Sequence, residues 1–305
     1  MSYKKILITG ASGQDGTILT NILIKKKIKV IACIRRKKFK KIRGVIYEHI
    51  NFFDKKKILQ VLKKHNPSVV VHFASNNPSF TDKKKENYFF KDNYKMTKNI
   101  IDSIKTSKSD IHFIFPNSSQ IFLNKKINIY NEKDKFFSNN SYCKFRIKIM
   151  DYLKEINKKN NFKYSNLILF NHDSIFRNKK FLLPRIIFAI KEKNVNFLNM
   201  IYRENIIQDF SHADDICFAI YLLIKKDINI NNLILSSSRK TKVNSIINYL
   251  IKKYSKKIKI KSIPRINNNF IIGENKLAKN LLNWNISKNI YVAVDEMYKE
   301  FINIK

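Results

Sequence analysis

Residues Ile6–Gly16 read ILITGASGQDG: the apolar run Ile6-Leu7-Ile8 stops at Thr9, and Gly10, Gly13 and Gly16 follow at three-residue spacing. The chain holds only five glycines, and three of them stand here. Glycine kept at these positions in so glycine-poor a chain implies backbone that a side chain would forbid. The pattern predicts a buried strand, a tight turn and a helix whose first N–H groups point at a pyrophosphate. Gly10 then makes the turn, Gly13 lets the phosphates approach, and Gly16 brings helix against strand. An apolar stretch from Ile18 supplies the body of that helix.

Outward from this stretch, Lys29–Ile34 (KVIACI) reads as a second buried strand ending in Arg35-Arg36-Lys37-Lys38. An acidic residue here, about 20 residues past the glycines, would hold the ribose 2′-hydroxyl of NAD; arginines suit a 2′-phosphate, so NADP is the expected cofactor, ahead of NAD. Asn51-Phe52-Phe53-Asp54 leads into a helix over Lys55–His65, with Ile58, Val61 and Leu62 at helical spacing and Pro67 closing it. Ser68–Ala74 (SVVVHFA) is a third buried strand, in which His72 reads as a core histidine. It ends in Ala74-Ser75-Asn76-Asn77, a polar loop at a strand's carboxyl end, where open α/β sheets bind ligands. A long helix follows, with Tyr94, Ile100, Ile101 and Ile104 inward.

The strand Ile111–Phe115 ends in Pro116-Asn117-Ser118-Ser119-Gln120, and Ser141–Arg146 (SYCKFR) opens the next helix. Tyr142 and Arg146, four apart, share one helical face. A cation there favours the phenolate and makes the tyrosine a usable acid/base, with Ser118 orienting the same substrate oxygen. Ser165–Phe170 is a further strand, ending in Asn171-His172-Asp173. The βα alternation predicts an α/β fold, a Rossmann-type doubly wound parallel sheet over residues 1–170. Residues 171–305 form a smaller substrate-binding lobe, some of whose segments return to the Rossmann domain. Its helices are expected at Leu183–Lys191, Ala213–Lys225, Val243–Tyr254 and Ile290–Phe301, and its short strands near Leu233–Leu235 and Ile258–Ile260.

A chain of 305 residues, 44% hydrophobic and 12% aromatic, buries a sizeable core and is not disordered. The apolar run Ile216–Ile224 is too short to cross a bilayer, and no signal-peptide segment opens the sequence. Cys33, Cys143 and Cys217 are scattered, with no metal-ligand spacing, and fit reduced thiols in a cytoplasm. Lys and Arg exceed Asp and Glu by 61 to 23, a net charge of +38. Because the lysines occur in every segment, this reads as compositional drift rather than a nucleic-acid or membrane surface, with anionic substrates and a phosphorylated cofactor as beneficiaries.

With these pieces in order, the chain resembles the extended short-chain dehydrogenase/reductases, and most of all the GDP-mannose 4,6-dehydratases. Thr9–Gly16 is similar to that family's TGxTGQDG opening, and Arg35-Arg36 to its NADP-selecting arginines. Leu169–Ser174 resembles LFNHES, Asp209–Ala213 resembles RDWGHA, and Ile272–Trp284 resembles GDxxKAxxxLGW. The resemblance implies a cofactor held by Gly10, Ser12, Gly13, Gln14, Asp15, Gly16, Arg35, Arg36, Asn51, Phe73, Ala74, Ser75, Tyr142, Arg146 and His172. It implies catalysis by Ser118, Tyr142, Arg146 and the residue at Gln120, with no metal. The nucleotide sugar, a GDP-linked hexose, would meet Ser119 and Asn171, and its diphosphate Arg177, Arg185 and Arg265. A homodimer or tetramer is also implied.

Three positions depart from the dehydratase pattern. Gln120 stands where that family has a Glu that serves as base and acid, and an amide carries no such proton. Arg146 replaces the Lys of YxxxK, and Gln208 replaces the Arg of RDW. The resemblance implies, these departures aside, a 4,6-dehydratase working by internal hydride transfer. A reductase or epimerase of a 4-keto-6-deoxy sugar, which needs no Glu, is the alternative. A catalytically silent NADP-binding relative with a regulatory or assembly role is the third reading.

Overall fold

The strand expected at Ile6–Ile8 runs Lys5–Thr9 (β1) in a computed structural model that describes residues 4–35, 39, 41–76, 86–107, 109–122, 129–138, 140–267 and 270–303. Helix α1 (Gln14–Lys25) follows, then β2 (Lys29–Ile34) and β3 (Ile46–His49). The sequence reading has no counterpart to β3: its half-exposed residues lack an apolar run, as befits a sheet edge. Helix α2 (Lys55–His65) starts where Asp54 accepts from the Lys57 N–H, and stops at left-handed Asn66 ahead of Pro67. Next come β4 (Val69–His72), α3 (Glu86–Ser107) and β5 (His112–Ser118), then a 3₁₀ turn over Ser119–Phe122 and the short β6 (Ile129–Tyr130). Asn140 caps α4 (Ser141–Asn160), which leads to β7 (Tyr164–Leu169).

The second half runs β8 (Asn171–Asp173), α5 (Leu182–Lys191), α6 (Val195–Glu204), β9 (Ile207–Gln208), β10 (Phe210–His212), α7 (Ala213–Lys225) and β11 (Leu233–Leu235). It closes with β12 (Thr241–Lys242), α8 (Val243–Tyr254), β13 (Phe270–Gly273), α9 (Lys276–Leu282) and α10 (Ile290–Asn303).

Seven strands form one parallel sheet in the order β11-β7-β5-β4-β1-β2-β3. Strand order reverses beside β1, which opens a crevice at the carboxyl ends there. Alternation in β1 sends Ile6 and Ile8 to one face, packed with Ile18, Leu19 and Leu23 of α1 and Ile216, Ile220 and Leu223 of α7. Leu7 goes to the other face, with Ile58 of α2, Ile100 of α3 and Ile149 of α4. Helices thus cover both faces, and the strands read as near-continuous apolar runs. Strand β11 and helix α7, although late in the chain, belong to this sheet and its packing. A separate core joins Ile186 and Ile187 of α5, Ile246 and Leu250 of α8, and Val294 and Met297 of α10. Two small sheets, β12-β9-β13-β6 and β10-β8, lie between the two parts.

Two expectations are corrected. Strand β5 continues past Phe115 through Pro116 and Asn117 to Ser118, paired with β7 up to Ser118↔Leu169. Its pairing with β4 ends at Ile114, so Pro116 faces no partner strand on that side and its missing N–H costs no ladder bond. Ile258–Ile260 is not a strand; Ile258 is buried in the lobe core, with its N–H bonded to the Ser255 carbonyl. The two- and three-residue strands of the lobe are too short to leave any periodicity in the sequence.

Candidate active site

The glycine turn joins β1 to α1. Gly10 has φ +67°, and a Cβ there would stand 2.7 Å from the Ala74 nitrogen and 2.9 Å from the Phe73 carbonyl carbon, so the turn and the exit of β4 touch backbone to backbone. A Cβ at Gly16 would strike the Gly10 oxygen and Ala11, so α1 lies directly on the turn. Gly13 caps α1 without a side chain, and the first helical bond is Thr17 N–H to the Gly13 oxygen. The N–H groups of Gln14, Asp15 and Gly16 therefore precede the helical ladder and face outward, as an anion requires.

Two motifs 157 residues apart meet beside this turn. The Asp15 carboxylate lies 3.1 Å from His172 Nε2, and His172 Nδ1 donates to the Phe170 carbonyl at 2.6 Å. Gln14 donates to Asp15 Oδ1 and to the His172 carbonyl, and accepts from Ser174 Oγ. Burial works against the Asp15 charge, yet His172, Gln14 and Arg177 bring its carboxyl down to about 2. Burial works against the His172 charge as well, and Asp15 more than compensates, so the imidazole sits above its ordinary range. Arg177 Nε stands 2.8 Å from Asp173 Oδ1, aligned too poorly for a hydrogen bond, with its guanidinium 3.6 Å over the Phe181 ring.

From here a cleft of about 350 Å³ runs to the carboxyl end of β5. It brings together Ser118, Ser119, Gln120, Tyr142, Arg146, Phe73, Ala74, Ser75, Asp15, Asn171, His172 and Arg177. Ser118 closes β5, its Oγ accepting from the Gln120 N–H at 3.3 Å. Arg146 is buried, with Nη1 donating to the Pro116 carbonyl at 2.7 Å and its guanidinium 4.4 Å from the Tyr142 ring centroid. The carbonyl that Arg146 holds is one that β5 offers only because β4 has already ended. Arg146 Nε is buried without a partner among the described residues. Asn171 Nδ2 donates to Gln208 Oε1 at 3.0 Å.

The remaining expected residues lie elsewhere. Ser12 and Gln14 sit in or under the turn, and Arg35 is exposed at the end of β2. Arg36, with Lys37, Lys38 and Asn77, falls outside the described residues. Asn51 is exposed in a turn, its Oδ1 accepting from the Phe53 N–H. Arg185 does not line the cleft: Leu183, Ile186 and Ile187 bury the other face of α5 and leave it outward over Phe197. Arg265 is also away, paired with Glu204 of α6 at 3.1 Å.

His72, Thr97, Asn117, Phe115 and Phe181 also line the cleft, and no sequence signal marks them for it. His72 is a bonded core histidine that doubles as floor: its ring nitrogens lie 2.7 Å from Thr9 Oγ1 and 2.9 Å from Thr97 Oγ1. Burial and the neighbouring Arg146 push it down to about 3, so it stays neutral. Among the described lining residues Asp15 is the one carboxylate, and it is committed to His172. Among the described residues no cluster of metal-ligating side chains occurs, and no helix is long and apolar enough to cross a membrane.

A glycine cradle closed to side chains, free helix-start N–H groups and an unpartnered buried guanidinium nitrogen fit a dinucleotide. The profile of the NAD dependent epimerase/dehydratase family matches residues 6–234, and the chain belongs to that family. Solved structures agree on the fold. A UDP-glucose 4-epimerase with UDP-glucose from Thermotoga maritima superposes with a TM-score of 0.83 at 16% identity, covering 98% of each chain. The UDP-Glc/GlcNAc 4-epimerase of Campylobacter jejuni gives 0.82 at 18% identity, over 97% of this chain and 98% of the other. A dTDP-glucose 4,6-dehydratase from Bacillus anthracis in complex with NAD gives 0.82 at 13% identity, over 99% and 97%. No curated protein matches the chain by sequence.

Proposed function

We propose that the protein is a nicotinamide-dependent enzyme that oxidises a hydroxyl-bearing carbon of a nucleotide-linked hexose to the ketone, or reduces such a ketone to the alcohol, as an epimerase or a keto-sugar reductase does. One observation carries this reading: Ser118, Tyr142 and Arg146 border a single cleft that reaches Asp15 in the first turn of α1, while the position suited to an eliminating acid/base holds Gln120. The coenzyme supplies the hydride acceptor or donor. The turn and the first N–H groups of α1 hold its pyrophosphate, and the free donors of Arg146 suit ribose hydroxyls. Tyr142 Oη takes or returns the proton of the sugar hydroxyl, with Ser118 Oγ hydrogen-bonded to the same oxygen. The Arg146 guanidinium, 4.4 Å from the Tyr142 ring centroid, holds that ring in place for the transfer. Asn171, Gln120 and Ser119 present neutral donors and acceptors to sugar hydroxyls. Arg177 and His172 add positive charge for phosphate. Arg35, in place of an acidic residue at the end of β2, supports NADP(H) over NAD(H).

A second reading, GDP-mannose 4,6-dehydration, draws on the Gln14-Asp15, Asn171–Ser174 and Asp209–Ala213 motifs. It lacks a carboxylate at position 120. Incubation of the full chain with NADP⁺ or NADPH, in separate arms with UDP-glucose, GDP-mannose and its 4-keto-6-deoxy product, separates the two. Epimer formation, or NADPH oxidation only with the keto sugar, is expected. A 4-keto-6-deoxy product from GDP-mannose without net NADPH change overturns the first reading in favour of the second. Coenzyme binding with no turnover in any arm points to a silent relative.

A further inference from the structure

Strand β8 is three residues long, and each residue is tied in a different direction. Asn171 bonds Gln208 on β9, His172 pairs with Asp15 in the first turn of α1, and Asp173 faces Arg177. Gln14, the other residue of that first turn, grips the same segment at both ends through the His172 carbonyl and Ser174 Oγ. The helix start that receives the coenzyme is thus fastened to the strand that presents Asn171 to the sugar, and among the described residues β8 pairs only with β10.

Both nitrogens of the His172 ring face acceptors, a carboxylate and a carbonyl, an arrangement that favours the doubly protonated, positively charged ring. The charged groups around it are Asp15 from α1 and Arg177 from the segment after β8. The pair turns the Asp15 carboxylate toward a cation and away from the anion expected at the same helix start.

We propose that Asp15 and His172 are positioning residues that couple coenzyme binding at the glycine turn to nucleotide-sugar binding at Asn171. The proposal rests on the reading of those two sites given above. The bonds of Gln14 and Asp15 to β8 make the turn and the strand one unit, so a ligand that shifts either end shifts the other, and the coupling is reciprocal. Loss of the pair leaves each site able to bind but blind to the other.

The test uses NADPH fluorescence titrations of the full chain, alone and with saturating UDP-glucose or GDP-mannose in separate arms. In the unaltered chain one of the two sugar nucleotides should tighten NADPH binding about fivefold or more. Asp15→Asn and His172→Gln should each still bind NADPH, more weakly, with the tightening reduced to within twofold. Asp15→Glu should restore part of it. If circular dichroism shows either variant unfolded, Ser174→Ala, which removes only the outer anchor of Gln14, should lower the tightening by about half. Full tightening in folded variants overturns the proposal, as does an unaltered chain whose NADPH affinity neither sugar nucleotide changes. An unaltered chain that binds no NADPH overturns the underlying site reading and the proposal with it.

Discussion

Two carboxylates, Asp15 in the lining of the cleft and Asp209 outside it, are treated in opposite ways by their surroundings. On the coenzyme wall, Asp15 faces His172, and its carboxyl is brought down to about 2. Asp209, between β9 and β10, is fully buried, and among the described residues it faces neutral donors: the N–H groups of Ser237, Ser238 and Gly273 and the Ser237 hydroxyl. Burial pushes it up to about 6 against the pull of those donors. Opposite charge separates the outcomes: His172 and Arg177 stand near Asp15 and no cation is paired with Asp209 among the described residues. Four hydrogen bonds orient a carboxylate but do not replace its hydration, whereas nearby cations favour its ionised form. On the proposed reading, the side of the cleft that carries Asp15, His172 and Arg177 is the charged wall that meets the coenzyme, and the side that carries Ser119, Gln120 and Asn171 is the neutral wall that meets sugar hydroxyls.

Tyr142 stands where the walls meet, so its loss should cost most. Tyr142→Phe should lower turnover about 10³-fold while NADPH affinity changes less than about threefold; comparable losses in both would place the tyrosine on the coenzyme wall alone.

Asp209 comes next. Its folded pKa of about 6 stands above the ordinary 3.8, so the folded chain binds a proton from about pH 4 to 6 where the unfolded chain does not. This contribution to stability is greatest below that window and falls as pH rises through it, by about 3 kcal/mol. Asp15 has the reverse sign: its contribution is present above pH 3.8 and is lost as pH falls toward about 2. Urea unfolding at about pH 4 and pH 6 should show the Asp209 slope, and Asp209→Asn should flatten it. An unchanged slope in the variant would erase the contrast between the two carboxylates.

His172→Ala leaves Asp15 without its cation. Because the pair is partly exposed, urea unfolding at pH 7 should report a loss of about 2 kcal/mol, below the range for a fully buried pair. Gln120→Glu should have the smallest effect on binding, with NADPH affinity within about twofold. The informative readout is product: a 4-keto-6-deoxy sugar from GDP-mannose in the variant alone would mean that the neutral sugar wall, and nothing else, withholds elimination.

Much of the coenzyme wall was legible because its demands are local. Gly10 needs a positive φ, Gly16 needs contact with the turn, and both lie within a few residues of the strand they serve. Tyr142 and Arg146 were legible as a helical pair, but not the Pro116 carbonyl that anchors Arg146, which is available only because β4 ends before β5 does. Arg185 and Arg265 carry the right charge in the right stretch of sequence, yet helix facing and an ion pair with Glu204 turn them elsewhere. His72 reads as core and is core, but its ring also floors the cleft, which no neighbour in sequence reveals. The short lobe strands had no period to read.

The sequence by itself determined the parallel sheet, the glycine turn and the order in which Ser118, Tyr142 and Asn171 arrive at strand and helix ends, since these follow from spacing and backbone sterics within single elements. The tertiary structure alone decided that Gln14-Asp15 and His172–Ser174 form one network, and that Asp15 is charged while Asp209 titrates near neutrality. Those outcomes depend on which groups share a dry space, and that is a property of packing between segments far apart in the chain.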